Sequence, residues 1–202
     1  MFPLGSVLFP HAVLPLHVFE PRYRALVDDV LATDRRFGVV LIERGHEVGG
    51  GDVRFTVGTV AEVVQAGRFP DGRVALTTVG VERIGVVEWL PDDPYPRARV
   101  EPRPEPEPEV DAATGADLLA GVRDRLGRLH GLRAELGLPA FTGDVVVSSD
   151  LVRASYEAAC LAPLGPLDAQ ALLEVDAATD RLTALAAALD AEIGVCTFRL
   201  RD

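Results

Sequence analysis

The chain has 202 residues, 48% apolar and 25% charged, which suits one large or two small globular domains with a real hydrophobic core. Its net charge is −11, and all 20 positive charges are arginine, because the sequence contains no lysine. That balance argues against a phosphate-tracking basic stripe, and no apolar run reaches the roughly 18 residues needed to cross a bilayer. The acidity is uneven: residues 1–100 carry 11 Arg against 13 acids, and residues 101–202 carry 9 against 18. The N-terminus lacks a basic segment followed by an apolar stretch and a small-residue cleavage site, so no secretion signal is read. Cys160 and Cys196 are far apart and fit two buried thiols in a reducing compartment better than a disulfide or a metal pair. A cytoplasmic protein is the expectation.

The opening stretch, Pro3 to Arg24, carries two strand-like apolar runs, Val7–Phe9 and Val13–Phe19, around a turn at Pro10-His11-Ala12. Pro3, Pro10 and Pro15 cannot donate to a ladder, which places these runs at edges, ends or bulges. Pro21 then opens a helix whose Tyr23, Leu26, Val27, Val30 and Leu31 share one face. Strands are predicted at Phe37–Ile42, Arg54–Val64 (with Gly58 as a bulge), Arg73–Val79, Val81–Trp89 and Tyr95–Val100. Gly45–Asp52 reads as a loop, and Phe69-Pro70-Asp71-Gly72 has turn chemistry.

Glu101 to Asp111 alternates proline with glutamate, which forbids helix and central strand and favours an extended spacer. The predicted division is a β-rich domain over 1–103, a linker over 104–110 and an α-helical bundle over 111–202. In the second part, Leu118, Val122, Leu126, Leu129, Leu132 and Leu136 form a helical stripe ended by Gly137 and Pro139. Ser148, Ser149 and Asp150 offer N-caps for a helix ending near Leu161. A short helix over Ala169–Glu174 precedes a last one carrying Leu182, Leu185, Ala186, Leu189 and Ile193. The predicted fold class is α+β: a mostly antiparallel, closed or partly closed β-barrel with one early helix, then the helical bundle.

Several stretches carry a family resemblance: Phe2-Pro3-Leu4, Leu8-Phe9-Pro10, Leu14 to Arg24 (LPLHVFEPRYR), Arg36-Phe37-Gly38-Val39, Val57 to Ala61, Pro70-Asp71-Gly72, Gly80 to Arg83, Leu172-Leu173-Glu174 and Arg181-Leu182. In this order they resemble the Lon N-terminal domain, the substrate-binding module of the ATP-dependent Lon protease, across nearly the whole chain. That module also occurs alone and, in divergent form, in cereblon-type adaptors. The resemblance implies a barrel like the pseudouridine-synthase-associated (PUA) fold and a role in catching unfolded or degron-bearing polypeptides. A separate Lon-type protease acting in trans is the implied partner.

The residues present limit the chemistry. Without lysine the chain supplies neither the phosphate-binding Lys of a Walker A loop nor the serine–lysine dyad of a Lon protease, so no ATPase or peptidase activity is expected. None of the four serines (Ser6, Ser148, Ser149, Ser155) lies in a G-x-S-x-G elbow. His11, His17, His46 and His130 show no metal-ligand spacing, and no metal or cofactor is expected. His17 reads as a hydrogen-bonded structural histidine, Glu20 as an acceptor for first-turn N–H groups, and Arg22 as paired to an acid such as Glu62 or Glu82. What remains is a surface for polypeptides, with Phe9, Pro10, His11, Val13, Phe19, Arg22 and Tyr23 as candidates, some of which must instead be core. The rival readings are a small-molecule or RNA-binding PUA-like module, for which clustered Arg22, Arg24, Arg35 and Arg36 would speak, and a hydrolase pairing Cys160 or Cys196 with a histidine.

Overall fold

The computed structural model describes residues 1–45, 51 and 53–201; His46 and most of the predicted loop Gly45–Asp52 fall outside them. The chain divides into two compact units, Met1–Pro104 and Glu105–Asp202.

The first unit is a mixed six-stranded sheet with one helix. Its elements are β1 (Phe2–Leu4), β2 (Val13–Val18), α1 (Pro21–Leu31), β3 (Arg36–Arg44), β4 (Val53–Arg68), β5 (Val74–Leu90) and β6 (Arg97–Pro102). The order is β1-β3-β4-β5-β2, with β6 also on β5. Among the described residues, only the β1–β3 pair is parallel. The 17-residue β5 serves two neighbours in turn: Val74–Val79 pairs with β2, and Ile84–Leu90 pairs with β6. Of the predicted closed or partly closed barrel, full closure is therefore corrected. The path starts at β1 and finishes at β2, and these two strands do not pair.

Two local expectations also change. Val7–Phe9 is not a strand, although Leu8 and Phe9 are buried. Leu8 offers its carbonyl to the Thr59 hydroxyl at 2.5 Å, a side-chain partner in place of a ladder. The strands predicted on either side of Gly80 are one strand, clasped there by the turn before β2: His11 N–H donates to Gly80 O (2.8 Å) and Gly80 N–H to Ala12 O (2.9 Å). A Cβ at Gly80 would stand 2.2 Å from the Phe9 carbonyl oxygen, so only glycine admits the clasp. Gly58, expected to mark a bulge, sits in register with Val40 and Ile84, and the register shifts fall beside it.

The core of this unit joins Phe2, Leu4, Leu8, Leu16, Val18 and Val74 of the sheet region to Tyr23, Leu26, Val27 and Val30 of α1. At roughly 1.5–3 kcal/mol for each fully buried large apolar side chain, this cluster supplies most of the unit's driving force. The Met1 amine donates to the Pro96 carbonyl at 2.7 Å and so ties the start of β1 to the approach of β6. Burial, with Arg54 nearby, pushes that amine down to about 5.

The second unit contains α2 (Ala112–Glu135), α3 (Leu151–Leu161), α4 (Pro166–Glu174) and α5 (Ala178–Arg199). Leu119, Val122, Leu126 and Leu129 of α2 are buried, as are Leu182, Leu185, Leu189 and Ile193 of α5. Leu119 takes the inner place at the start of the α2 stripe, and Leu118 is only half-buried. Of the three offered caps for α3, Asp150 acts: its carboxylate accepts from Arg153 N–H at 2.8 Å. The proline–glutamate stretch is anchored at its start, because Glu105 is gripped by the fully buried Arg181 and by the Tyr156 hydroxyl.

Candidate functional site: an apolar slot between the two ends of the sheet

β2 alternates cleanly. Leu16 and Val18 point into the core, while Val13, Pro15 and His17 are exposed. Immediately after it Phe19 is 56% exposed, and Pro21 starts α1, which brings Tyr23 back beneath the sheet. The Tyr23 ring stacks on Phe2 of β1 with centroids 4.2 Å apart. These contacts leave a pocket of about 170 Å³ lined by Phe2 and Leu4 of β1, Pro15–Val18 of β2, and Phe19, Glu20 and Tyr23. The two strands that end the sheet path thus border one slot.

The slot's floor is apolar and its rim holds one ion pair. Arg22 Nε donates to Glu20 Oε2 at 3.0 Å, and the guanidinium lies 4.4 Å from the Tyr23 ring centroid. Glu20 occupies the N-cap position of α1 with no side-chain cap hydrogen bond, so its carboxylate serves Arg22 and not the first-turn amides. The expected partners Glu62 and Glu82 are not the acids that hold Arg22; Glu62 pairs with Arg36 at 2.8 Å.

The seven sequence-derived candidates separate. Val13 (65% exposed), Phe19 and His11 are on the surface, and Arg22 is half-buried and joined to the slot through its partner Glu20. Phe9, Pro10 and Tyr23 are buried; of these three, Tyr23 lines the slot from within. His11 has φ 67°, a left-handed turn conformation that turns its side chain outward from the β2 clasp. His17, read from the sequence as a hydrogen-bonded structural histidine, is exposed. Phe2, Leu4, Leu16 and Val18 line the slot without having been singled out in the sequence: Val13–Phe19 is apolar almost throughout, which hides its inward face, and nothing local says that β1 would arrive opposite it.

Among the described residues, neither an arginine cluster nor a cysteine–histidine pair is assembled. Arg22 pairs with Glu20 and Arg36 with Glu62, Arg35 donates to Val63 O (3.0 Å), and Arg24 reaches Gly72 O (3.4 Å), so the four arginines serve local partners. Cys196 is buried. Cys160, expected to be buried, is exposed at the surface, yet desolvation by the surrounding chain, with Glu157 adding to it, pushes the thiol up to about 12. Nε2 of His130 lies 2.9 Å from the Leu161 carbonyl and Nδ1 accepts from Phe141 N–H, so both ring nitrogens are committed. No group of three or more metal-ligating side chains occurs among the described residues. No described helix is long and apolar enough to cross a membrane. The helical unit has its own cavity of about 560 Å³ at the starts of α2 and α3, where Asp111 and Asp150 already fill the helix N-termini.

The same architecture occurs in solved Lon N-terminal domains. A Lon N-terminal domain protein from Xanthomonas campestris is 28% identical, with a TM-score of 0.63 over 92% of this chain and 95% of that one. The N-terminal domain of a Mycobacterium avium complex Lon protease shares the fold, with a TM-score of 0.60 over 93% and 96% of the two chains, at 18% identity. Residues 1–191 match the family described as the ATP-dependent protease La (LON) substrate-binding domain, and the chain belongs to that family. Among full-length relatives, Lon protease 2 of Herpetosiphon aurantiacus is 30% identical over 200 residues, covering 95% of this chain and 23% of its own length. The Lon protease of Desulfovibrio desulfuricans is 31% identical over 196 residues, covering 96% and 22%. The chain therefore spans less than a quarter of these relatives, and what it matches is the substrate-binding domain and not their ATPase or protease domains.

Proposed function

We propose that this chain is a non-catalytic polypeptide-binding module that recognises unfolded or degron-bearing segments and works with a Lon-type protease. One observation carries the reading: an apolar slot opens beside Phe19, which together with Val13 leaves a large apolar side chain in solvent at each end of β2. Membership of the substrate-binding family supports it, as does a sequence without the lysine that Walker A nucleotide binding and a Ser–Lys dyad both require. At about 170 Å³ the slot is smaller than the 300–1,000 Å³ typical of small-molecule sites, which favours a polypeptide side chain over a free ligand.

The test is fluorescence anisotropy with a permanently unfolded, reduced and carboxymethylated polypeptide and with its folded parent. The unfolded form alone should bind, with little change between low and moderate salt, because apolar contacts are not screened. Val13→Ala with Phe19→Ala should weaken binding by roughly 1–3 kcal/mol while leaving the fold intact, since both side chains are exposed. Equal binding of folded and unfolded forms, or none of either, would sink the reading.

A further inference from the structure

We infer that the slot takes its polypeptide as an extended strand, hydrogen-bonded to the outer edge of β2, with one apolar side chain of leucine or phenylalanine size seated between β1 and β2. This rests on the polypeptide-binding reading and specifies how that binding is achieved.

The backbone directions within β2 follow from two facts. Gly80 N–H donates to Ala12 O, so the Ala12 carbonyl faces β5, and Leu14, Leu16 and Val18 share that direction by the two-residue period. Val13, Pro15 and His17 therefore direct their backbone groups away from β5. Pro15 agrees: its missing N–H would break a ladder facing β5 and costs nothing at the opposite edge. That edge offers three carbonyl acceptors and, at Val13 and His17, two amide donors. β2 is the end of the sheet path, with β5 as its ladder partner. This row of groups is complementary to an extended backbone and to little else.

Side chains define the rest. A strand added at this edge alternates like β2, so every second side chain points to the core face, where the slot lies beside Leu16 and Val18. A cavity of about 150 Å³ admits benzene, so 170 Å³ holds one leucine or phenylalanine side chain. The intervening side chains face solvent near Val13 and His17 and are not selected. Charge does not select either: Val13–Val18 contains no acid, arginine or lysine, and residues 1–100 are near balance with 11 Arg against 13 acids. The predicted occupant is thus any unfolded segment with an apolar residue at one position and hydrogen-bonding backbone on both sides of it.

The test uses the intact chain and a short fluorescein-labelled peptide alternating leucine with threonine. The strand adds antiparallel to β2, so leucines enter the slot and the threonine amides point at β2. N-methylation of the threonine amides should weaken binding by roughly tenfold or more, and N-methylation of the leucine amides should leave it nearly unchanged. His17→Pro removes an outward donor without touching the β2–β5 ladder and should weaken the parent peptide in the same sense. The peptide comparison needs no protein variant, so a folding defect in His17→Pro would not affect it. If both methylated peptides bind like the parent, or both lose affinity alike, the strand-addition mode is overturned. Continued binding of the unfolded polypeptide would then leave the broader reading in place. If neither the peptide nor the unfolded polypeptide binds, both are overturned.

Discussion

Arg181 has no exposed side-chain surface, yet it is charged and sits one residue before the buried Leu182. Its guanidinium is supplied with partners on every side: Ser155 Oγ at 2.7 Å, Val175 O at 2.7 Å, both Glu105 oxygens at 3.1 Å, and the Tyr156 ring, 3.9 Å from its centre. Nothing in the sequence period distinguishes it, because arginine next to an apolar stripe ordinarily reads as a solvated flank. Its partner Glu105 lies within the proline–glutamate stretch, where composition speaks only for extension. Arg181→Ala would leave Glu105 and Tyr156 without their cation and should cost about 3 kcal/mol in urea unfolding. A change below about 0.5 kcal/mol would mean that the cluster is decoration. Cys160 supports a second residue-scale prediction. A thiol held up at about 12 is almost wholly protonated at pH 8, so iodoacetamide should modify native Cys160 on the order of a thousandfold more slowly than a free cysteine of ordinary pKa. Mass spectrometry at timed intervals reads this directly, and fast modification of the folded chain would contradict the desolvation that raises the thiol.

At the scale of elements, α1 was legible almost to the residue, because Pro21 marks its first turn and one apolar face runs through it. β2 was legible as a strand-like apolar run, Val13–Phe19 against the observed Val13–Val18. The errors arose where apolar runs are held by something other than a ladder. Val7–Phe9 has strand composition but is fixed by the Thr59 hydroxyl on Leu8 O and by the clasp at Gly80. Gly80 looked like a break because glycine usually punctuates strands, whereas here it lets another backbone approach. The clasp therefore makes a sharp prediction. In Gly80→Ala the new methyl would meet the Phe9 carbonyl oxygen and carbon at 2.2 and 3.0 Å, backbone atoms that cannot swing aside. The turn before β2 must shift, at a cost of about 2–3 kcal/mol, and peptide binding at the β2 edge should weaken with it. Gly67→Ala on β4 meets nothing within 4 Å and should change stability by less than about 0.5 kcal/mol. Equal stability of the two variants, measured by urea midpoint, would remove the clasp from the account.

The whole molecule shows what a one-dimensional reading carries and where it ends. The change from strand to helix period is visible near residue 104 because proline and glutamate exclude both, and the chain divides there. Whether a six-stranded sheet closes is not visible, since closure depends on the distance between its first and last strands and not on any residue's preference. That undetermined gap is where the slot lies, so the most informative part of the site was the least legible. Charge is the other property of the whole chain. With 9 Arg against 18 acids over residues 101–202, self-repulsion opposes compaction of the helices more than of the sheet. Pairs such as Arg125–Asp190, 3.0 Å apart but well exposed, offset only a little of it. Raising sodium chloride from about 10 to 150 mM shortens the screening length from about 30 to 8 Å, which weakens the many long-range repulsions more than the few close attractions. The urea midpoint of the far-ultraviolet helical signal should therefore rise, by the equivalent of about 0.5–1 kcal/mol. A fall over the same range would mean that the close ion pairs outweigh the excess of nine acids in that half.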